Sequence, residues 1–175
     1  DIADMSRAFV KEPDGDQVAD DQPELPQRPH ANYVTPGGLA ALKTGCAHWR
    51  AQQDAANADV LADKPHIAQA GREIRYFEER IRRAILIDPA RQPPDEVAFG
   101  ARVTVEDEDG ETLVFAIVGE DEADPKQGKV SWVSPLAGAL LDGQISDLVT
   151  WKRPAGDREL EIIAIDYSAN SPPSS

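Results

Sequence analysis

Between residues 39 and 60 the positions that can form one apolar face fall alternately three and four apart, at Leu39, Leu42, Cys46, Trp49, Gln53, Ala56 and Val60. After Pro65 the same spacing returns at Ile67, Ala70, Ile74, Phe77, Ile81 and Ala84. Such spacing places each set on one side of an α-helix. Two heptad-like seams separated by the short polar turn Ala62-Asp63-Lys64 predict an antiparallel helical hairpin, a small coiled coil, over residues 34–88. Thr35-Pro36 supplies a side-chain cap and a first residue that lacks the N–H a helix start leaves orphaned. Helix one should run roughly 26 residues, about 39 Å at 1.5 Å per residue. Gly45 and Gly71 should each weaken their helix by about 1 kcal/mol relative to alanine. The seam thins at Gln53, Ala56 and Ala70, toward the turn.

The pattern changes after Pro89–Pro94, which reads as a linker over residues 89–94. Strand-like runs near 101–107 and 112–118 flank Asp109-Gly110, a pair suited to a type I′ hairpin turn. A loop over 119–128 leads to a strand at 129–133. Ser134 and Pro135 then open a short helix with Leu136, Ala139 and Leu140 at helical spacing, and Gly143 can end it in a left-handed conformation. A last hairpin pairs 148–152 with 159–166. The expected class is α+β, with a small antiparallel sheet and one short helix over 95–167. Residues 1–33 are rich in Asp, Gln and Pro, with Pro23, Pro26 and Pro29 three apart. They read as a disordered tail, as do residues 168–175.

Charge alters this picture more by its distribution than by its total of −14 over 175 residues. Residues 1–34 carry eight acids and three bases, residues 35–88 seven and eight, and residues 89–167 seventeen and seven. So acidic a C-terminal part repels phosphate, which disfavours direct, non-specific binding to nucleic acid, and no direct sequence-specific DNA binding is expected. No apolar run reaches bilayer length, and the single Cys46 excludes an internal disulfide and suits a cytoplasmic setting. His30, His48 and His66 lack partners at zinc-ligand spacing. There is no Gly-rich phosphate loop and no nucleophile elbow. Arg72, Arg75, Arg80, Arg82 and Arg83 lie among Glu73, Glu78 and Glu79 and read as a solvated helix face, or alternatively as a stretch that touches a polymerase or transcript.

Four strings occur in order over about seventy residues: residues 97–105 (VAFGARVTV), residues 117–128 (IVGEDEADPKQG), Ser134-Pro135-Leu136-Ala137, and Pro154-Ala155-Gly156 with Ile165-Asp166-Tyr167. Together they resemble the C-terminal domain of the GreA/GreB family of bacterial transcript-cleavage factors. The shortened coil is similar to that of the nucleoside diphosphate kinase regulator branch. The resemblance implies an FKBP-like C-terminal domain and a coiled coil that enters the secondary channel of RNA polymerase. It implies a monomeric regulator acting through the polymerase active site, not an enzyme, with no cofactor of its own beyond magnesium shared with the polymerase.

In that family two acids near the hairpin tip help hold the polymerase's second catalytic magnesium ion, because a hard divalent ion takes carboxylate oxygens. Here the corresponding string is residues 52–59 (QQDAANAD), with Gln53 and Ala56 where those acids would stand. Asp59 and Asp63 remain as metal candidates, four apart on a shared helical face; alternatively Asp63 merely caps the second helix. The resemblance assigns polymerase docking to Val133, Ser134, Pro135 and Leu136, with Val133 where cleavage factors often carry Asp or Asn, and Gly138 where they often carry Arg. The leading expectation is a channel-binding modulator of elongation without efficient cleavage stimulation. The alternatives are a cleavage factor using Asp59 and Asp63, an FKBP-like proline isomerase, and a domain with a non-polymerase partner. An isomerase would need an aromatic pocket built from Phe99, Phe115, Trp132, Trp151 and Tyr167.

Overall fold

The computed structural model describes residues 22–61 and 63–168. Helix α1 spans Pro36–Asn57 and α2 spans Lys64–Arg83, forming the expected antiparallel pair. Thr35 caps α1, its Oγ1 accepting from the Gly38 N–H at 2.9 Å. Helix α1 has 22 residues, so it stops short of Val60, which is 99% exposed with Leu61 at 90%. Val60 therefore does not extend the seam. Leu42, Cys46, Ala70 and Ile74 are the buried apolar residues between the helices. Gly45 proves to be a contact point rather than only a weak link: a Cβ there would lie 2.7 Å from Phe77 Cε1 and Cζ. Toward the tip the hairpin closes on Trp49 and His66, whose rings are 6.3 Å apart.

The segment just before the hairpin is not a free tail. Residues 1–21 and 169–175 lie outside the described residues, but from Gln22 onward the chain runs beside α2. Glu24 takes both Arg75 donors at 2.8 and 2.7 Å, and Gln22 accepts from Arg72. The Arg83 guanidinium donates to the carbonyls of Arg28 and His30. Strand β1 (Asn32–Val34) then pairs in parallel with β2 (Ala84–Leu86), directly after α2. Main-chain pairing and charge-assisted bonds supply the ordering that composition alone does not predict. The linker is likewise structured: Pro89–Arg91 is a single 3₁₀ turn capped by Asp88.

The C-terminal domain is a five-stranded sheet built from β3 (Arg102–Asp107), β4 (Thr112–Val118), β5 (Lys129–Ser131), β6 (Leu148–Trp151) and β7 (Arg158–Asp166). Its order is β5-β4-β3-β7-β6. Neighbours are antiparallel except at one edge, where β5 runs parallel to β4. A register shift between Thr104 and Val105 on β3 leaves Ile163 of β7 unmatched and 37% exposed. Helix α3 (Pro135–Leu140) buries Leu136, Ala137 and Leu140 against the sheet interior formed by Val103, Val105, Ile117, Leu160 and Ile162. Ala137, not Ala139, completes its buried face.

Two turn expectations change. At 109–110 only Gly110 has positive φ (78°), so the connection is not type I′. Asp107 Oδ1 instead accepts from the N–H groups of Asp109 and Glu111 at 2.9 and 2.8 Å, shaping a three-residue loop with its glycine left-handed. After α3 the left-handed residue is Asp142 (φ 67°). Gly143 is required for closeness: a Cβ would meet Ile162 Cδ1 at 2.5 Å and the Leu140 carbonyl at 2.8 Å. Among the described residues no helix is long and apolar enough to cross a membrane.

Candidate functional site

The turn entering α3 gathers the residues expected to meet a partner. Ser134 is the cap, with extended backbone (φ −72°, ψ 155°) and Oγ accepting from the Ala137 N–H at 3.2 Å. Its own N–H donates to the Ser131 carbonyl at 2.9 Å, while the Val133 N–H donates to Ser131 Oγ. Two hydrogen-bonded turns thus hold Pro135 out in solvent, with Val133 and Ser134 half-buried beside it. Leu136 does not belong to that surface. It is 4% exposed and packed into the sheet core. Gly138, one turn further along, is exposed, and a side chain added there would meet nothing within 4 Å.

Trp132 supports this turn from behind. Its ring lies 5.0 Å from that of Tyr33 and 6.0 Å from that of His30, both edge-on. The other domain aromatics are likewise occupied with packing: Phe115 meets Trp151 at 6.2 Å, and the Tyr167 hydroxyl donates to the Glu96 carbonyl and accepts from the Ala98 N–H. Phe99 lies 5.9 Å from Tyr33, and all five of these aromatics remain half-buried.

At the hairpin tip the two candidate acids are not presented as a pair on a helix. Helix α1 ends at Asn57, so Asp59 follows it, and Asp59 Oδ1 accepts from the Leu61 N–H at 2.9 Å. Asp63 precedes α2 at the capping position, yet its side chain makes no cap hydrogen bond. It lines an open cleft of about 450 Å³ with Pro65, His66, Gln69, Gln22 and Pro23. Both acids are exposed, and among the described residues no group of three or more His, Cys, Asp or Glu side chains is placed to hold a metal ion. Gln53 and Ala56 are half-buried along the hairpin.

Sequence reasoning missed a third feature, the junction joining hairpin to sheet domain. Arg80, read as part of a solvated face, is fully buried. Its Nε donates to Asp121 Oδ2 at 2.7 Å and its Nη2 to Asn32 Oδ1 at 2.7 Å. Asp121 Oδ1 accepts from the Tyr76 hydroxyl at 2.5 Å, with Arg28 Nε 3.5 Å away. Burial, reinforced by the hydrogen bond to Asp121, pushes the Tyr76 hydroxyl above its ordinary pKa. Glu122 accepts from the Thr35 hydroxyl at 2.7 and 2.9 Å, and Glu120 lies 3.5 Å from His30 Nδ1. One clue was present in the sequence: Arg80 sits three residues after Phe77 and four before Ala84, beside the apolar seam.

The family profile "Transcription elongation factor, GreA/GreB, C-term" matches residues 92–167. Over 153 residues the chain is 35% identical to transcription elongation factor GreB of Neisseria meningitidis serogroup B, spanning 78% of this chain and 94% of that protein. It is 43% identical over 114 residues to transcription elongation factor GreA of Alkalilimnicola ehrlichii, 64% of this chain and 72% of that protein. Among solved structures, GreA factor homolog 1 of Thermus thermophilus aligns at 23% identity and a TM-score of 0.39, covering 78% of this chain and 99% of that one.

Proposed function

The chain belongs to the GreA/GreB family of transcription elongation factors, and on that premise we propose that it binds bacterial RNA polymerase at the secondary channel and modulates elongation without efficiently stimulating transcript cleavage. Docking uses the exposed edge of the α3 turn, with Pro135 at its centre and Val133, Ser134 and Gly138 around it. The hairpin, about 33 Å long by the 22 residues of α1, is the probe that enters the channel.

The observation that carries the second half of this reading is the composition of the tip. Cleavage needs two carboxylates that reach a metal ion together, so that attacking and leaving oxygens are stabilised at once. Gln53 and Ala56 stand where the family pattern has acids, and the turn after α1 exposes the apolar side chains of Val60 and Leu61. Asp59 already spends one oxygen on the main chain, and Asp63 stands on the far side of the turn. On this reading the chain offers polymerase a docking surface and a probe, with Gln53 and Ala56 at the positions of the acids.

The test is RNA cleavage in a backtracked elongation complex at fixed magnesium, with and without the protein. The expected result is no stimulation, together with slowed synthesis or competition against an added cleavage factor. Stimulated cleavage that disappears on replacing Asp59 and Asp63 by alanine would replace this reading with that of a working cleavage factor. Absence of any effect, with no binding to polymerase, would refute the polymerase assignment.

A further inference from the structure

The loop 119–122 joins the hairpin to the sheet domain. Asp121 bonds to Arg80 and Tyr76 on α2, Glu122 bonds to the Thr35 cap of α1, and Gly119 runs against β1 so closely that a Cβ would lie 2.5 Å from the Tyr33 carbonyl. Asn32 closes the arrangement in both directions: it accepts from Arg80 Nη2 and donates to the Arg80 carbonyl, each at 2.7 Å. Helix α2, the strand before the hairpin and the sheet domain therefore meet at one arginine-carboxylate pair, with the α1 cap held beside it by Glu122.

Stability alone is a poor reason for such a pair. A buried ion pair loses much of its attraction to desolvation, and packed apolar side chains of similar volume often serve as well or better. Arg80 also leaves Nη1 without a hydrogen-bond partner among the described residues. What an arginine fork adds is direction, because its planar donors accept only a narrow range of approach.

We propose that Arg80 and Asp121 are positioning residues that fix the angle of the hairpin on the C-terminal domain, so that docking through the α3 turn determines where the tip points. The lever arm makes the angle matter. Arg80 to Lys64 is sixteen residues of α2, about 24 Å, so a rotation of about 10° at the junction displaces the tip by about 4 Å. That exceeds the tolerance of any hydrogen bond or close contact at the far end.

This inference rests on the polymerase reading, and the experiment separates the two. Full-length wild type, Asp121→Asn and Arg80→Met are titrated against elongation complexes, and half-saturating concentration and maximal effect are read separately. Small-angle scattering of each free protein reports the spread of domain orientations. The near-isosteric Asp121→Asn guards against simple misfolding of the arginine variant. Expected are an unchanged half-saturation point, a maximal effect reduced about tenfold or more, and a broadened scattering profile in both variants. Equal loss of affinity and effect, or no change in either, overturns the positioning role. If wild type fails to bind polymerase, the functional reading falls, and scattering alone decides the lock: a profile unchanged by Arg80→Met and Asp121→Asn overturns it.

Discussion

Gly45→Ala sets two opposed effects of known size against each other. In a helix interior, alanine gains about 1 kcal/mol over glycine because the unfolded chain has less backbone freedom to lose. Here the new methyl would stand 2.7 Å from both Cε1 and Cζ of Phe77 and 3.4 Å from Cδ1, where carbon atoms settle at about 3.5–4 Å. The ring must therefore move by about 1 Å, and overpacking of this kind costs about 1–3 kcal/mol. Phe77 is only half-buried, so part of the strain can relax toward solvent. The expected outcome is a loss of about 0–2 kcal/mol in urea unfolding followed by far-ultraviolet circular dichroism. The decisive arm is the double variant. With Phe77→Leu in place the obstruction is gone, and Gly45→Ala should then stabilise by about 1 kcal/mol relative to Phe77→Leu alone. If Gly45→Ala stabilises the parent chain by that full amount, the packing argument fails.

Three further outcomes follow from local geometry. The Asp107 carboxyl is held below the usual carboxylate range by the Glu111 N–H and the ion pair with Arg158, so its stabilisation is complete above the unfolded pKa of about 3.9 and is lost as pH falls through the lower folded value. Stability profiles between about pH 5 and pH 2 should accordingly be flatter for Asp107→Asn, and identical acid limbs would contradict this. Beside α2, the segment before β1 is held by the Glu24–Arg75 pair, whose side chains are 60% and 56% exposed and therefore open to salt screening. Hydrogen exchange at residues 23–28 should rise with salt and in Glu24→Gln while Asn32–Val34 stays protected; joint exchange of both stretches would show a single cooperative unit instead. Gly138→Arg meets no steric obstacle and places a cation where cleavage factors often carry one, so polymerase should bind more tightly in a direct titration, with equal or weaker binding as the contrary result.

Local chemistry was sufficient for the elements that depend on local chemistry. The three-and-four spacing from Leu39 and from Ile67 is a property of one helix at a time, and it produced the hairpin. Thr35-Pro36 and Ser134-Pro135 start their helices as written, because a cap bonds within three residues of itself. Tertiary structure decided what depends on partners far along the chain. Arg80 looks solvated beside its glutamates and becomes buried only because Asp121, 41 residues away, and Asn32, 48 residues away, reach it. Strands β1 and β2 have three residues each, too few to declare a period, and they exist through one another. Leu136 reads as part of a docking motif until the sheet claims its side chain. Periodicity encodes which side of an element is apolar, but a buried charge or a short strand is stable only beside its complement, and that complement is placed by the fold.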